Sequence, residues 1–323
     1  MREITVGKNE AGQRLDKMLA KYLNQAPKSF LYKMMRKKNI TLNGKKAQGN
    51  EMLVGGDVVC LYLAEETIEK FSGLVSVKRT APLFILYEDD HVLLVNKPAG
   101  ILSQKADRNE ESMVERVIGH CLKTGRLTEE ELRLFRPSVC NRLDRNTSGI
   151  LAAGISLPGL QEMTKLFRQR NVHKYYYCVV AGKIRGKKRI KGFLTKDGRT
   201  NRVSVSQNPI SEESQAIETE YEPISQGEGI TLMRVLLITG RSHQIRAHLQ
   251  WEGCPIIGDT KYGNPAVNQI FREKYGVKSQ LLHAGDLVFP QLTGILVPLS
   301  GRRITAPFPE EFVRVMEGEG LRV

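Results

Sequence analysis

Several features are scarce or missing in this sequence of 323 residues, and each absence excludes a class of protein. No stretch approaches the run of about 20 apolar residues that a membrane-spanning helix needs, so we expect that this chain does not span a membrane. The first nine residues carry charges but no apolar core, which argues against a secretory signal and favours a cytoplasmic protein. The five cysteines are odd in number and include no Cys-x-x-Cys pair, which predicts reduced thiols rather than disulfides.

Patterns that bind metals or nucleotides are missing as well. The six histidines include His243 and His248, but their five-residue spacing, without a carboxylate, does not match a zinc-binding helix. Gly149 and Gly154 do not form the Gly-x-Gly of a dinucleotide fingerprint, and there is no Walker loop. The sequence therefore predicts no metal site and no nucleotide cofactor.

Positive charge is what the chain has in excess. Its 49 lysines and arginines outnumber the 35 aspartates and glutamates, which gives a formal net charge of +14 and a pI of about 9.6. Such a field favours a polyanion, most often nucleic acid, and speeds its encounter with the protein. An anionic membrane surface is the alternative, but no long amphipathic segment presents a clean apolar face to it.

Residues 14–63 have the pattern of a compact module. Apolar residues recur at helical spacing after Arg14, and a second helix follows Pro27, with Ser29 as its predicted N-cap. Residues 40–45 predict a strand that enters an Asn-Gly turn. The module resembles the S4 RNA-binding domain, although an ordinary helix pair with a solvated charged face is the alternative. Its expected phosphate-binding residues are Arg14, Lys33, Arg36, Lys37, Lys38 and Lys45.

The chain divides into three parts. Residues 1–63 predict a small α/β domain, and residues 64–80, with mixed charges and little periodicity, predict an extended and mobile linker. In residues 81–323, short strands alternate with a few helices, without the strict strand-helix repetition of a doubly wound parallel sheet. We therefore predict an α+β fold with a mixed, largely antiparallel sheet in this second domain.

The most informative stretch is NRLDRNTSGI at residues 141–150. It places Asp144 between Arg142 and Arg145, where charge-assisted hydrogen bonds hold a carboxylate in place. Such a carboxylate suits a nucleophile or a general base better than a proton donor. A surface salt-bridge cluster before a turn is the alternative interpretation.

This stretch resembles the catalytic motif of the RluA family of RNA pseudouridine synthases, His-Arg-Leu-Asp-x-x-Thr-Ser-Gly, with Asn141 in place of the histidine. Three further segments match the family in the same order: LVNKPAG at 94–100, KYYYCVVAG at 174–182, and TGRSHQIRAHL at 239–249, which Gly258 and Asp259 follow. Four motifs in register are far more specific than any one of them. The resemblance covers residues 81–310.

The resemblance implies that uridine is isomerised to pseudouridine in RNA, a reaction that needs no redox change, no group donor and hence no cofactor. It implies that Asp144 is the catalytic carboxylate, that Arg246 pairs with it in a bidentate fashion, and that the ring of Tyr176 stacks on a flipped uracil. Tyr175 and Tyr177 would point to the opposite face of the strand. Arg142 and Arg145 are expected to bind flanking phosphates or to close the pocket. Supporting roles are expected from Asn96, Lys97, Arg241 and His243.

The domain order favours 23S ribosomal RNA, free or in pre-ribosomal particles, over transfer RNA as the substrate, and we expect a monomer. Two other functions are compatible with parts of the sequence. A non-catalytic RNA-binding or ribosome-assembly factor would explain the basic module alone. A hydrolase with an aspartate nucleophile would need a second carboxylate as an acid, and the sequence offers no obvious partner.

Overall fold

A computed structural model describes residues 1–7, 11–73, 80–105, 110–200 and 202–323. The N-terminal part is a four-stranded antiparallel sheet covered by helices, with the spatial strand order β1-β4-β2-β3. The elements are β1 (Arg2–Thr5), α1 (Leu15–Tyr22), α2 (Lys28–Arg36), β2 (Ile40–Leu42), β3 (Lys45–Lys46), β4 (Val58–Leu61) and α3 (Glu65–Phe71).

The predicted hairpin is confirmed, because Asn43 and Gly44 connect β2 to β3 with positive φ angles of 50° and 70°, as a type I′ turn requires. The predicted N-cap is wrong. Helix α2 begins at Lys28, and Pro27, in an extended conformation, takes the capping position without a side-chain bond. Ser29 therefore lies inside the first turn, where its hydroxyl cannot fill the capping role.

The prediction of an extended linker is wrong for Glu65–Phe71, which form α3. Ile68 is fully buried in the core of the N-terminal part, and Phe71 packs on Phe30 with ring centroids 4.6 Å apart. These two apolar residues have the i, i+3 spacing of one helix face, so burial of that face outweighs the surrounding charges. Residues 74–79 of the predicted linker lie outside the described residues.

The larger part contains an 11-stranded sheet with the order β11-β10-β12-β13-β9-β14-β8-β6-β5, with β15 on β14 and β7 on β8. Its strands are β5 (Ile85–Glu88), β6 (Val92–Lys97), β7 (Ser138–Val139), β8 (Ser148–Gly154), β9 (His173–Ala181), β10 (Lys188–Asp197), β11 (Arg202–Ser206), β12 (Gln215–Gln226), β13 (Ile230–Leu237), β14 (Leu282–Val288) and β15 (Arg303–Thr305). Its helices are α4 (Met113–Lys123), α5 (Glu131–Leu134), α6 (Leu157–Arg168), α7 (Gln244–Trp251), α8 (Pro265–Tyr275) and α9 (Glu310–Gly318), with a 3₁₀ helix at Gly294–Leu299. This architecture confirms the α+β prediction with a mixed, largely antiparallel sheet. No helix in the described ranges is both long and apolar enough to cross a membrane.

The one parallel pairing among the described strands, β14 with β8, lies next to the Thr-Ser-Gly turn and joins two antiparallel halves of the sheet. Gly149 pairs with Ala284 there, and a Cβ on Gly149 would lie 2.2 Å from the carbonyl oxygen of Ala284. Its φ of 112° is also outside the range of ordinary side chains. A glycine is therefore required for the two strands to meet directly behind the segment that carries Asp144.

The two parts of the chain are in contact with each other. Leu134 of α5 packs against the core of the N-terminal part. The side-chain amide of Gln161, on α6, donates a hydrogen bond to the carbonyl of Gly12 at 2.9 Å. The N-terminal module is thus docked beside the helix whose C-terminal end borders the cleft described next.

Candidate active site

A cleft of about 480 Å³ opens on the larger part, between the segment before β8, the end of α6, the start of β9 and the loop before α7. Each of these segments carries one of the four sequence motifs or lies next to one. Asp144, Tyr176 and Arg246 all line the cleft, together with Arg142, Arg241 and His243, which makes six of the predicted site residues that come together there.

The ion pair predicted between Asp144 and Arg246 is present. Nη1 of Arg246 donates to Oδ2 of Asp144 at 2.8 Å, although the two residues are 102 positions apart in the sequence. The arginine side chain is 7% exposed and the aspartate side chain 24% exposed. The carboxylate is therefore held from behind by a buried cation while its other oxygen remains accessible from the cleft.

The predicted bidentate geometry of this pair is wrong, because the bidentate partner of Arg246 is Asp259. Nε and Nη2 of Arg246 donate to the two oxygens of Asp259 at 2.7 and 2.9 Å. Oδ1 of Asp259 also accepts from the amides of Lys261 and Tyr262. Burial opposes the ionisation of Asp259, but the hydrogen bonds and charge of Arg246 outweigh it and lower the pKa. Asp259 thus fixes the guanidinium plane and leaves Nη1 for Asp144.

Tyr176 lies on β9 with its ring in the cleft and only 6% of its surface exposed. Burial, and secondly the charge of Asp144, raise the pKa of its phenol well above the usual range, so the hydroxyl keeps its proton at neutral pH. The hydroxyl of Tyr177 points away and donates to Asp286 at 2.8 Å. Tyr175 lies under the guanidinium of Arg234, outside the cleft. The predicted alternation of the three tyrosines is confirmed.

His243 stands directly before α7 with a left-handed φ of 56°, which points its ring into the cleft. Its Nδ1 lies 3.0 Å from the hydroxyl of Tyr262, and that hydroxyl accepts from the amide of Val203. The hydroxyl of Tyr262 keeps a proton and a second lone pair, so it donates to Nδ1 or accepts from it according to the tautomer of the ring. Nε2 lies 3.9 Å from Oδ2 of Asp144. Burial lowers the pKa of His243, against the charge of Asp144.

Lys97 is a lysine with no exposed surface, and it connects the first motif to the loop that carries Asp144. Its ammonium donates to the carbonyls of Pro98, Ile101 and Arg145 at 2.9, 2.7 and 2.9 Å. Burial lowers the pKa of Lys97 to about 7, and the charge of Asp144 opposes that effect. Asn96, in contrast, bonds to the carbonyl of Pro307 and does not line the cleft.

Asn141, which replaces the histidine of the family motif, braces the loop through its side-chain amide. Nδ2 donates to the carbonyl of Ile150 at 3.2 Å, and Oδ1 accepts from the amide of Ala152 at 2.8 Å. Both partners belong to β8. The start of the Asp144 segment is therefore anchored to the strand that follows it, by a group that does not titrate.

The predicted phosphate ligands differ in their availability. Arg142 and Arg241 are exposed in the cleft. Arg145 points elsewhere and makes two bonds to Glu110 at 2.5 and 3.0 Å, so the prediction of a phosphate contact is not supported for this residue. On the N-terminal module, Arg14 is engaged in two bonds with Asp16. The remaining predicted cations of the module are exposed: Lys33, Arg36, Lys37, Lys38 and Lys45.

The sequence analysis missed three cations that line the cleft, Arg168, Arg170 and Lys174. One signal could have found Lys174: it is two positions before Tyr176 on the same strand, and such residues share a face. Arg168 is the last residue of α6 and Arg170 lies in the turn that follows it. Their spacing does not predict on which side of the molecule their side chains lie. Among the described residues, no group of three or more His, Cys, Asp or Glu side chains is arranged to hold a metal ion.

The chain is similar to known proteins over nearly its whole length. Residues 91–251 match the family model described as RNA pseudouridylate synthase. Ribosomal large subunit pseudouridine synthase C of Vibrio vulnificus is 30% identical over 325 residues, which cover 97% of this chain and 95% of that protein. The protein of the same name from Escherichia coli K12 is 30% identical over 326 residues, with 97% and 95% coverage.

Solved structures show the same fold. The human RNA pseudouridylate synthase domain containing 4 superposes with a TM-score of 0.59 at 20% identity, over 74% of this chain and 94% of that chain. The human RNA pseudouridylate synthase domain containing 1 superposes with a TM-score of 0.52 at 18% identity, over 76% of this chain and 97% of that chain.

Proposed function

The chain belongs to the RNA pseudouridylate synthase family, and from this premise we propose that it isomerises uridines of large-subunit (23S) ribosomal RNA to pseudouridine, with Asp144 as its catalytic carboxylate. The choice of RNA is supported by the relatives that match nearly the whole chain, since they are named for the large ribosomal subunit. The excess of positive charge agrees with such a substrate.

One observation carries the assignment of Asp144. It is the only acidic side chain among the described residues that line the cleft, and it is held at 2.8 Å by a buried arginine. A hydrolase would need a second carboxylate to act as an acid. Asp259 cannot serve, because its side chain has no exposed surface and is occupied by Arg246.

The proposed reaction uses the cleft as a trap for one nucleotide. The target uridine leaves its stack, most cheaply from a loop or bulge of the RNA, and its uracil packs on the ring of Tyr176. Asp144 then acts on the sugar or the base, while Arg246 balances the charge that develops. The cleft holds the detached uracil while it rotates and rejoins through carbon. No step of this isomerisation calls for a cofactor.

The domain assignment is part of the proposal. Residues 1–63 would act as an S4-like RNA-binding domain, residues 64–80 as the connection and residues 81–323 as the catalytic domain. The exposed cations of α2 and of the β2–β3 hairpin support an RNA-contacting role for the first of these. Its contact with α6 supports one continuous RNA surface that ends at the cleft.

Replacing Asp144 with Asn tests the catalytic assignment, because the change keeps the size of the side chain and removes its charge. We expect isomerisation to disappear while RNA binding persists, since contacts with phosphates carry most of the affinity. Pseudouridines would be mapped in ribosomal RNA from cells that contain the native protein, the Asp144→Asn protein or neither.

Substantial modification by the Asp144→Asn protein would refute the role of this carboxylate. Identical maps from all three kinds of cell would instead favour the non-catalytic alternative, an RNA-binding or assembly factor. Filter binding to the same RNA is the control that separates a loss of chemistry from a loss of docking.

A further inference from the structure

We propose that Arg168, Arg170 and Lys174 form a subsite for one backbone phosphate of the RNA, separate from the ion pair at Asp144. The inference rests on the proposed function in so far as RNA is the ligand. The three residues lie around the turn from α6 into β9: Arg168 is the last residue of α6, Arg170 is in the turn and Lys174 is on β9. All three line the cleft.

Lys174 is the central residue of this subsite because it is half-buried and has no carboxylate partner. Burial first, and the positive charge of Arg170 second, lower the pKa of Lys174 to about 8. In the described ranges, neither Lys174 nor either arginine makes an ion pair with an acidic side chain. A partly desolvated ammonium beside a guanidinium is unfavourable alone, and an anion between them would relieve both costs.

Three other cations of the larger part each have a carboxylate partner. Lys165, one turn earlier on α6, faces Glu162 at 3.5 Å. Arg145 is bound by Glu110, and Arg116 by Glu111. These three cations have carboxylate partners, whereas Arg168, Arg170 and Lys174 have none in the described ranges and are available to an anion in the cleft.

The backbone of Arg170 closes the end of α6. Its φ of 61° is left-handed, a conformation that glycine or asparagine adopts more easily at the end of a helix. The structure keeps an arginine there, with its side chain in the cleft. Lys38 ends α2 in the same conformation, so the argument for Arg170 rests on the place of its side chain in the cleft and not on its backbone.

A purely structural explanation covers only part of the group. Cations in the last turn of a helix interact favourably with its partial negative charge, and Arg168 occupies that turn of α6. Lys174 lies on β9, beyond that turn, so the helix gives it no such stabilisation. The dipole therefore does not account for the subsite as a whole.

The position of Lys174 indicates which phosphate is bound. Lys174 and Tyr176 are two residues apart on β9 and share its cleft-facing side. A phosphate on Lys174 therefore lies beside the ring that would receive the uracil, so it belongs to the flipped nucleotide or to its immediate neighbour. Forked guanidinium groups and a point-like ammonium together suit the oxygens of a phosphate diester.

The test measures RNA binding rather than turnover. The protein is the full-length chain with the Asp144→Asn substitution, and the RNA is a short hairpin that contains one uridine that the native protein modifies. Lys174→Met and Arg170→Gln are compared with Lys165→Gln, a matched charge loss on α6 outside the cleft. Each protein is titrated with natural RNA and with RNAs that carry a neutral methylphosphonate at one phosphate near the uridine. In each of these RNAs the nucleotide before the methylphosphonate is a 2′-deoxy nucleotide. The reference RNA has the same 2′-deoxy nucleotide followed by an ordinary phosphate.

We expect Lys174→Met and Arg170→Gln each to weaken binding of natural RNA about tenfold or more, as for a lost hydrogen bond between charged groups. Each should also lower the salt slope of the binding constant by about one. On the RNA whose bound phosphate is neutral, the same variants should bind within about twofold of the parent. Lys174→Arg should retain most of the affinity, and Lys165→Gln should match the parent throughout.

Two results would overturn the subsite: unchanged binding by Lys174→Met, or a loss that is equal for every methylphosphonate position. Competition by millimolar inorganic phosphate as strong as that by RNA would show a site for the free anion instead. Because the readout is binding, a failure of the proposed isomerisation leaves this result interpretable. Conversely, a subsite that fails while the native protein modifies uridine leaves the proposed function intact.

Discussion

Arg246 divides its guanidinium between two carboxylates that have different environments. Asp259 is fully buried and accepts two bonds from Arg246 and two from backbone amides. Asp144 is partly exposed and accepts one bond from Arg246. The first carboxylate is therefore fixed, and the second keeps an oxygen free for chemistry. The family resemblance predicted that both hydrogen bonds of a bidentate pair go to Asp144. A sequence does not show which of two acidic partners, Asp144 or Asp259, is more deeply buried.

Tyr176→Phe keeps the ring in the cleft and removes the hydroxyl that burial keeps protonated. If that hydroxyl relays a proton, the single-turnover rate should fall about a hundredfold or more, with little change in RNA binding. Tyr175→Phe is the matched control, since its ring lies on the other side of β9. A near-normal rate combined with weaker binding would place Tyr176 in the docking surface instead.

His243 predicts an acid limb in the pH dependence of the reaction. Its ring faces Asp144, Arg246, Asp259, Lys261 and Tyr262. As the pH falls through its lowered pKa, the imidazolium formed 3.9 Å from Asp144 would compete with the substrate for that carboxylate. Since the folded pKa lies below that of the unfolded chain, protonation also removes stability in the same acid range.

We expect His243→Gln, which keeps a donor but cannot titrate, to lose this acid limb in kcat/KM. Any limb with another origin would remain in both proteins, so the difference between the two profiles isolates the histidine. Superimposable profiles for the native and His243→Gln proteins would contradict the prediction.

At the scale of elements, the loop before β8 is held at both ends by polar side chains. Lys97 of β6 binds the carbonyl of Arg145, and Asn141 binds β8. These anchors place Asp144 in a fixed position although it lies in a loop. Precise placement of a reacting group is worth orders of magnitude in rate, so the anchors are expected to act on kcat rather than on binding.

Lys97→Met preserves the aliphatic volume and removes the donors for three carbonyls. We expect kcat to fall about tenfold or more, with RNA affinity nearly unchanged. Stability gives a second readout. Because the folded pKa of about 7 lies below the unfolded value of 10.5, the unfolded state binds more protons between them, and native stability rises with pH in that window.

Lys97→Met should lack this rise in denaturant unfolding between pH 7 and 9. Arg145→Gln, which leaves the backbone carbonyl in place, controls for the neighbouring charge. An unaltered kcat together with an unaltered pH slope would show that Lys97 does not support the loop.

The elements that the sequence predicted correctly are those with local causes. The Asn43-Gly44 turn follows from backbone preferences of two adjacent residues. Strand β14 was not predicted, because His283, Gly285 and Asp286 are polar or flexible residues. In the structure two of these polar groups find distant partners, since His283 bonds Ser148 and Asp286 bonds Tyr177. Partners more than 100 positions away leave no trace in local periodicity.

The same distinction applies to the site. Asp144, Tyr176 and Arg246 came from resemblance to a family and do lie in one cleft. Arg168, Arg170 and Lys174 were missed, since their side chains face the same cleft only because of the way the chain turns between α6 and β9. The helix α3 was missed because two apolar residues, Ile68 and Phe71, are a weak pattern among charges. Their burial becomes evident only once the neighbouring sheet is in place.

At the scale of the whole molecule, the N-terminal module should supply affinity without chemistry. Replacing Lys33, Arg36 and Lys37 with Gln removes exposed charges and leaves its core intact. Binding to long RNA should weaken, and the salt slope should fall by about 0.7 to 0.9 for each phosphate that the module no longer neutralises. A short hairpin at high concentration should still be modified at the native rate. Equal affinity and equal salt slope would remove the module from the RNA-binding surface.

Strand β14 has one more consequence, for the order in which a newly made chain matures. It lies between β9 and β8 in the sheet, so the two halves that carry Tyr176 and Asp144 do not pair with each other directly. Leu282, at its start, also lines the cleft. A nascent chain that has not yet emerged beyond residue 288 lacks the strand that joins these halves. Translation itself would therefore delay activity until the chain has left the ribosome past residue 288.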